Sequence, residues 1–256
     1  MTLTDKLARL TEKKARLDTR RPLSQSELRR LKDFFDVEWT YHSNAIEGST
    51  LTLRETELIL HSGLTVGGKP LREHLEAINH KRAIDFVEDL VGREVLLTES
   101  EIRQIHALVL RGVDDEEAGR YRRGQVRIAG SAYLPPDAVA VPGLMRDFVA
   151  SLGHRPGEHP VVRAAQAHFH LVHIHPFADG NGRTARLLMN LLLLQAGYPP
   201  AVLRTEGRTR YYDALDQAHS GNLEPFLELV AEEVERSLDV YLAAAGTPSD
   251  ERRAAI

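Results

Sequence analysis

Apolar residues recur along most of this chain at intervals of three and four, the spacing that gathers them on one face of an α-helix. Residues 4–18 interleave leucine with charged side chains and predict an amphipathic helix. In SQSELRRLKDFFDVEWTYHSNAIEGS, Ser24 stands three residues before Glu27, a capping box ahead of a second helix. Thr52 and Glu55 repeat that signature in TLRETELILHSGL, with Gly63 as the stop. Helical spacing continues over about 70–91 and 98–111, then through PGLMRDFVASLG and HPVVRAAQAHFHLVHI. One segment breaks the rhythm. In GQVRIAGSAYLPP, Val126 and Ile128 alternate with Gln125 and Arg127 before the turn-prone AGS, so 125–134 is expected to form a short hairpin. The pattern predicts a mostly helical chain with one small hairpin.

Two prolines and two glycines punctuate the centre. Pro176 restricts His175 away from helical angles, which ends the helix begun near 160. The next helix is expected to start near Gly182 or Arg183 and run to Gln195, with Gly197 past its end and Pro199 preventing continuation.

Composition narrows the class. A chain of 256 residues can bury a full core, which favours one domain with a helical extension. With 42% apolar and 27% charged residues it reads as an ordinary soluble protein. A net charge of −4 argues against a dedicated nucleic-acid binder. The first 32 residues carry ten Lys/Arg against four Asp/Glu, an excess expected to decorate a solvated helix. Zero cysteines excludes disulfides and thiol-held metal and fits a reducing cytoplasm. The N-terminus alternates charge with leucine, unlike a signal peptide, and the leucine-rich run 187–194 is far short of the ~20 residues of a membrane span. The expected protein is cytoplasmic, with neither nucleic acid nor membrane as partner.

The candidate chemistry lies in HPFADGNGR, between the two central helices. Gly180 and Gly182 permit backbone angles that turn successive N–H groups into one concavity, at a helix N-terminus that favours an anion. Asn181 adds a neutral amide donor, and Arg183 and Arg186 add guanidinium forks suited to phosphate oxygens. Asp179, a lone carboxylate among these cationic groups, suits a divalent metal held against phosphates. His175 titrates near neutrality and can accept a proton from a hydroxyl. Phe177 is expected to plug into the core and fix the loop's direction. The bland alternative is a helix corner whose glycines merely permit a tight turn. A zinc site built from His168, His170, His173 and His175 is disfavoured: on a helix the first two point about 200° apart, and no HExxH pattern occurs.

HPFADGNGRTAR resembles the complete signature of the Fic family, His-Pro-Phe-x-Asp-Gly-Asn-Gly-Arg-x-x-Arg. The resemblance implies an all-α Fic fold with a small β-hairpin flap and an N-terminal helical extension. It also implies transfer of AMP from ATP to a protein Ser, Thr or Tyr hydroxyl. His175 would be the general base and Asp179 the Mg²⁺ ligand. Gly180, Asn181, Gly182 and Arg183 would hold phosphates, and Arg186 would reach the γ-phosphate. The kinase-like Doc branch lacks the second glycine-bearing half of the loop, which favours adenylyl over phosphoryl transfer.

Upstream, SNAIEG places Ser43 and Glu47 four apart on one helical face before Gly48. Taken alone this is a helix end. Within the family, [Ser/Thr]-x-x-x-Glu-[Gly/Asn] marks an inhibitory helix, here about 38–48, whose Glu47 would pair bidentately with Arg186 and disturb productive ATP binding. The resemblance makes 125–134 the flap that docks the target, with Val126 and Ile128 exposed rather than in the core. RYYDALDQAHSGN resembles the adenine-side block, with Tyr212 near the base and His219 where the family has asparagine; packing of two tyrosines on a helix is the alternative.

The expected organisation is an N-terminal helical region over 1–95, a catalytic core over 96–240 and a tail over 241–256. The expected function is a self-inhibited protein adenylyltransferase acting on ATP and an unidentified target protein, with a homodimer as one compatible assembly. The alternatives are removal of AMP with Glu47 activating water, and a non-catalytic nucleotide-binding module.

Overall fold

The computed structural model describes residues 2–93, 97–128, 130–153 and 157–245. Among them are ten α-helices: α1 (Leu3–Asp18), α2 (Gln25–Ile46), α3 (Leu53–Ser62), α4 (Leu71–Gly92), α5 (Glu99–Leu110), α6 (Val141–Ser151), α7 (Pro160–Ile174), α8 (Asn181–Gln195), α9 (Arg208–His219) and α10 (Glu224–Ala244). The capping boxes read from the sequence are formed: Ser24 and Glu27 open α2, Thr52 and Glu55 open α3, and Gly63 closes α3 at φ 62°. The helix α8 starts at Asn181, one residue before the expected point, because Gly180 at φ 74° already turns the chain into it.

Leucines on every side of α8 explain its place. Leu187, Leu188, Met189, Leu191 and Leu193 are fully buried, and a helix apolar all round belongs in the interior. Each such side chain contributes about 1.5–3 kcal/mol on burial. Around α8 pack α7, α4, α5 and α2, so the helix start bearing the glycine loop is held from several sides. Among the described residues no helix is long and apolar enough to cross a membrane.

Two expectations are corrected. The basic face of α1 is not simply solvated: Lys6 pairs with Glu232 at 2.8 Å, Lys13 with Glu235 at 2.8 Å and Asp239 at 2.6 Å, and Arg9 with Glu235. The reason is a complementary acidic row on α10, against which α1 lies. The hairpin does not form a strand ladder among the described residues of 125–134, Ala129 lying outside them. Side chains tie the segment instead. Gln125 Nε2 donates to Pro135 O at 2.9 Å and Arg122 Nη2 donates to Pro136 O, while the prolines have no N–H to return. At the C-terminal side α10 runs to Ala244; residues 246–256 lie outside the described residues, as do residues 94–96, which hold the boundary expected at 95–96.

Candidate active site

The last residue before Pro176 carries the strain of the site. His175 has φ 51° and ψ 58°, the one non-glycine residue at positive φ among those described, a conformation costing about 1–3 kcal/mol. Arg122, 3% exposed, offsets it. Its Nε donates to His175 O at 2.8 Å and its backbone N–H to Pro176 O at 2.9 Å. The imidazole Nδ1 lies 3.3 Å from Val172 O, so Nδ1 carries the proton and Nε2 keeps its lone pair. Burial pushes this imidazole below its ordinary value, partly opposed by the bond to Val172. His175 is therefore neutral at neutral pH.

Phe177 plugs into the core as expected, fully buried and stacked on His106 of α5 at 3.7 Å and 4°. His106 Nε2 reaches Asp179 O at 2.9 Å, and Gly119 N–H donates to its Nδ1 at 2.9 Å. Gly180 needs to be glycine twice over: it sits at positive φ, and a Cβ there would come 3.3 Å from the His106 ring. Asn181 lines the cavity, with its side chain turned inward. Its carboxamide accepts from Phe177 N–H and donates to Phe177 O, both at 2.9 Å, and the residue is 3% exposed. The side chain braces the loop through both atoms of its amide.

Arg183, 3% exposed, pairs through Nη1 with Glu76 of α4 at 3.1 Å, because the first helical turn directs it toward α4. Arg186, 2% exposed, is the better placed guanidinium. Its Nε donates to Ser43 Oγ at 2.9 Å, and its Nη2 to Ser43 O at 2.9 Å and Glu47 Oε1 at 2.7 Å. Nη1 reaches Tyr211 Oη at 3.4 Å. The Glu47 contact thus uses one carboxylate oxygen and is not bidentate, since Ser43 has taken the Nε side of the fork. Gly182 makes this approach possible, for a Cβ there would overlap Glu47 Oε1.

A cavity of about 600 Å³ opens beside these groups. Glu47, His175, Asp179, Gly180 and Gly182 line one side, Tyr212 and His219 another, and Ile128 the rim. Val126 and Ile128 are both partly exposed and stand outside the core. Tyr212 Oη donates to Ile46 O at 3.3 Å. His219 stacks on Tyr133 at 3.7 Å and 5°, with its Nδ1 3.0 Å from that of His173. Burial and His173 push His219 down to about 4. The remaining histidines do not converge: His168 is buried against Tyr211 Oη at 3.1 Å, and among the described residues no three His, Asp or Glu are grouped to hold a metal ion. Asp179 is the carboxylate of the glycine loop at the cavity, with Arg72 Nη2 at 3.1 Å from Oδ2 and Arg183 Nη2 at 3.7 Å from Oδ1. A single carboxylate fits a magnesium ion whose other ligands are water and phosphate oxygens.

Arg122, His106, Arg72 and Glu76 were not legible as site residues. Arg122 sits in RYRRG, which reads as surface charge; His106 left a trace, falling on the apolar face marked by Ile102, Ile105 and Val109.

Comparison with known proteins places this geometry. Residues 96–193 match the Fic/DOC family. The chain is 42% identical over 223 residues to the Drosophila persimilis protein adenylyltransferase Fic, covering 86% of this chain and 44% of that protein. It spans less than half the length of that curated relative. The fold is similar to Fic-1 (aa134–508) from C. elegans, with a TM-score of 0.87 and 36% identity over 94% of this chain and 72% of the other. A Fic domain containing signaling protein from Bacteroides thetaiotaomicron VPI-5482 superposes with a TM-score of 0.85 at 30% identity, over 94% and 96% of the two chains. The chain belongs to the Fic/DOC family.

Proposed function

We propose that this protein transfers AMP from ATP to a hydroxyl of a target protein and is held in check by its own Glu47. One observation supports the reading: the neutral His175 and Glu47 line one cavity at the start of α8, and the Glu47 carboxylate there holds the buried Arg186. Nε2 of His175 accepts the proton of the target hydroxyl as its oxygen attacks the α-phosphorus. The bond from that phosphorus to the bridging oxygen breaks, and pyrophosphate leaves. The backbone N–H groups at the α8 N-terminus bind the departing phosphates, and Arg186 clamps their outer end once Glu47 releases it. Asp179 would hold Mg²⁺, which supplies charge neutralisation to the polyphosphate. The segment 125–128, with Val126 and Ile128, receives an extended stretch of the target by main-chain pairing. Tyr212 and His219 border the adenine side.

In the resting arrangement the Glu47 carboxylate occupies the guanidinium that the γ-phosphate needs and repels like charge. Labelled ATP with Mg²⁺ tests this on wild type, Glu47→Gly and His175→Ala. The expected outcome is transfer raised at least tenfold in the first variant, equivalent to about 1.4 kcal/mol of barrier, and transfer abolished when His175→Ala is added. Equal labelling by wild type and Glu47→Gly contradicts the inhibitory role.

A second reading has its own support. Only Oε1 of Glu47 engages Arg186, so the other oxygen can orient a water for AMP removal from a modified target. Release of AMP that depends on Glu47 distinguishes it.

A further inference from the structure

We propose that His106, which does not line the cavity, is the positioning residue for the Asp179 carboxylate. The assignment starts from the proton on its ring. Gly119 N–H can only donate, so Nδ1 of His106 is an acceptor and Nε2 carries the hydrogen, which it donates to Asp179 O. That carbonyl belongs to the peptide plane joining Asp179 to Gly180. On the opposite side of the same plane, Gly180 N–H donates to Asp179 Oδ1 at 2.6 Å. The plane is rigid, so a hold on its carbonyl sets the direction of its N–H, and the N–H sets the carboxylate.

The rest of the ring is equally committed. One face stacks on Phe177, its edge lies where a Cβ of residue 180 would meet it, and it is fully buried. His106 therefore touches the loop at 177, 179 and 180 from a helix 73 residues upstream of Asp179. Gly119 is shaped to the same end: it has φ 70°, and a Cβ there would stand 3.0 Å from Arg103 O. A partner that orients a ligand typically governs tenfold or more of metal affinity.

This inference rests on reading Asp179 as the metal ligand, and the test separates the two. The parent is the full chain carrying Glu47→Gly and His175→Ala, so that nucleotide binds without turnover. Calorimetry gives the Kd for ATP with Mg²⁺ and with EDTA, and their ratio is the metal's contribution. In His106→Asn the side-chain oxygen can still accept from Gly119 N–H, but nothing reaches Asp179 O. In His106→Gln the amide N–H can reach Asp179 O, while the acceptor for Gly119 is lost. The expected result is a ratio reduced about tenfold in His106→Asn and held within about twofold in His106→Gln, with metal-free Kd alike in both. An unchanged ratio in His106→Asn, or equal losses in both variants, overturns the positioning role. Absence of Mg²⁺-dependent binding in the parent overturns the metal reading and this inference with it. Should the variants not fold, the wild-type protein still decides: long-range ¹H–¹⁵N spectra must show His106 protonated at Nε2 alone, and a proton on Nδ1 refutes the assignment.

Discussion

A methyl group at position 182 would do at the scale of one residue what ligand binding must do to the whole site. Alanine there overlaps Glu47 Oε1 and comes 3.1 Å from Arg186 Nη1, so the carboxylate has to move. Within a helix, alanine otherwise stabilises by about 0.5–1 kcal/mol relative to glycine. Gly182→Ala is thus expected to stabilise the Glu47→Gly protein by that amount and to bring no gain, or a loss, in wild type. Urea midpoints of the four proteins check this, and an identical shift in both backgrounds would show that Glu47 does not approach residue 182. His175 makes a second residue-scale prediction. Burial holds its imidazole below the usual 6.5, and only the neutral form can accept a proton. The sign follows: kcat/KM of the Glu47→Gly protein stays level as pH falls through 7, then declines below 6.5. A profile already falling above pH 7 contradicts His175 as the base.

Between residues and the fold lie elements that local patterns describe unequally well. Helices were legible because a 3.6-residue period and a capping box both act within a few residues. The hairpin expected over 125–134 does not appear among the described residues, because alternation over four residues is weak and the segment's organiser, Arg122, looks like surface charge. Arg122 donates to the carbonyls of His175, Gly124 and Pro136, binding that segment to the end of α7. Removal leaves partly buried acceptors without this partner, at up to about 1–3 kcal/mol each before relaxation. Arg122→Ala is expected to destabilise by about 3 kcal/mol and to lower transfer in the Glu47→Gly background. Arg122→Lys should recover little, since an ammonium cannot reproduce the planar fork. Full activity with Arg122→Ala, in a protein shown folded by circular dichroism, would dismiss its hold on His175.

At the scale of the molecule, α1 and α10 lock the two ends of the chain together through charge. Glu232 illustrates the consequence: bonds from Arg210 and Lys6 outweigh partial burial and draw its carboxyl down to about 2 from 4.5. A depressed folded-state pKa contributes stability that is fully present above about pH 4.5 and lost as pH falls toward 2. Glu232→Gln should flatten that part of the urea-midpoint profile, and an unaltered slope would assign acid sensitivity elsewhere.

The sequence by itself determined the helices, their stops, the apolar interior of α8 and the place of a contiguous glycine loop between α7 and α8, since each depends on neighbours within one or two turns. It also paired Glu47 with Arg186, 139 residues apart, but only through likeness to a family. Tertiary structure alone decided which atoms meet: that Ser43 takes the Nε side of Arg186, that Asn181 turns inward to Phe177, that Arg183 goes to Glu76, and that His106 reaches Asp179. Those outcomes depend on how distant helices seat against one another, and no local period encodes the direction in which a long polar side chain finds its partner.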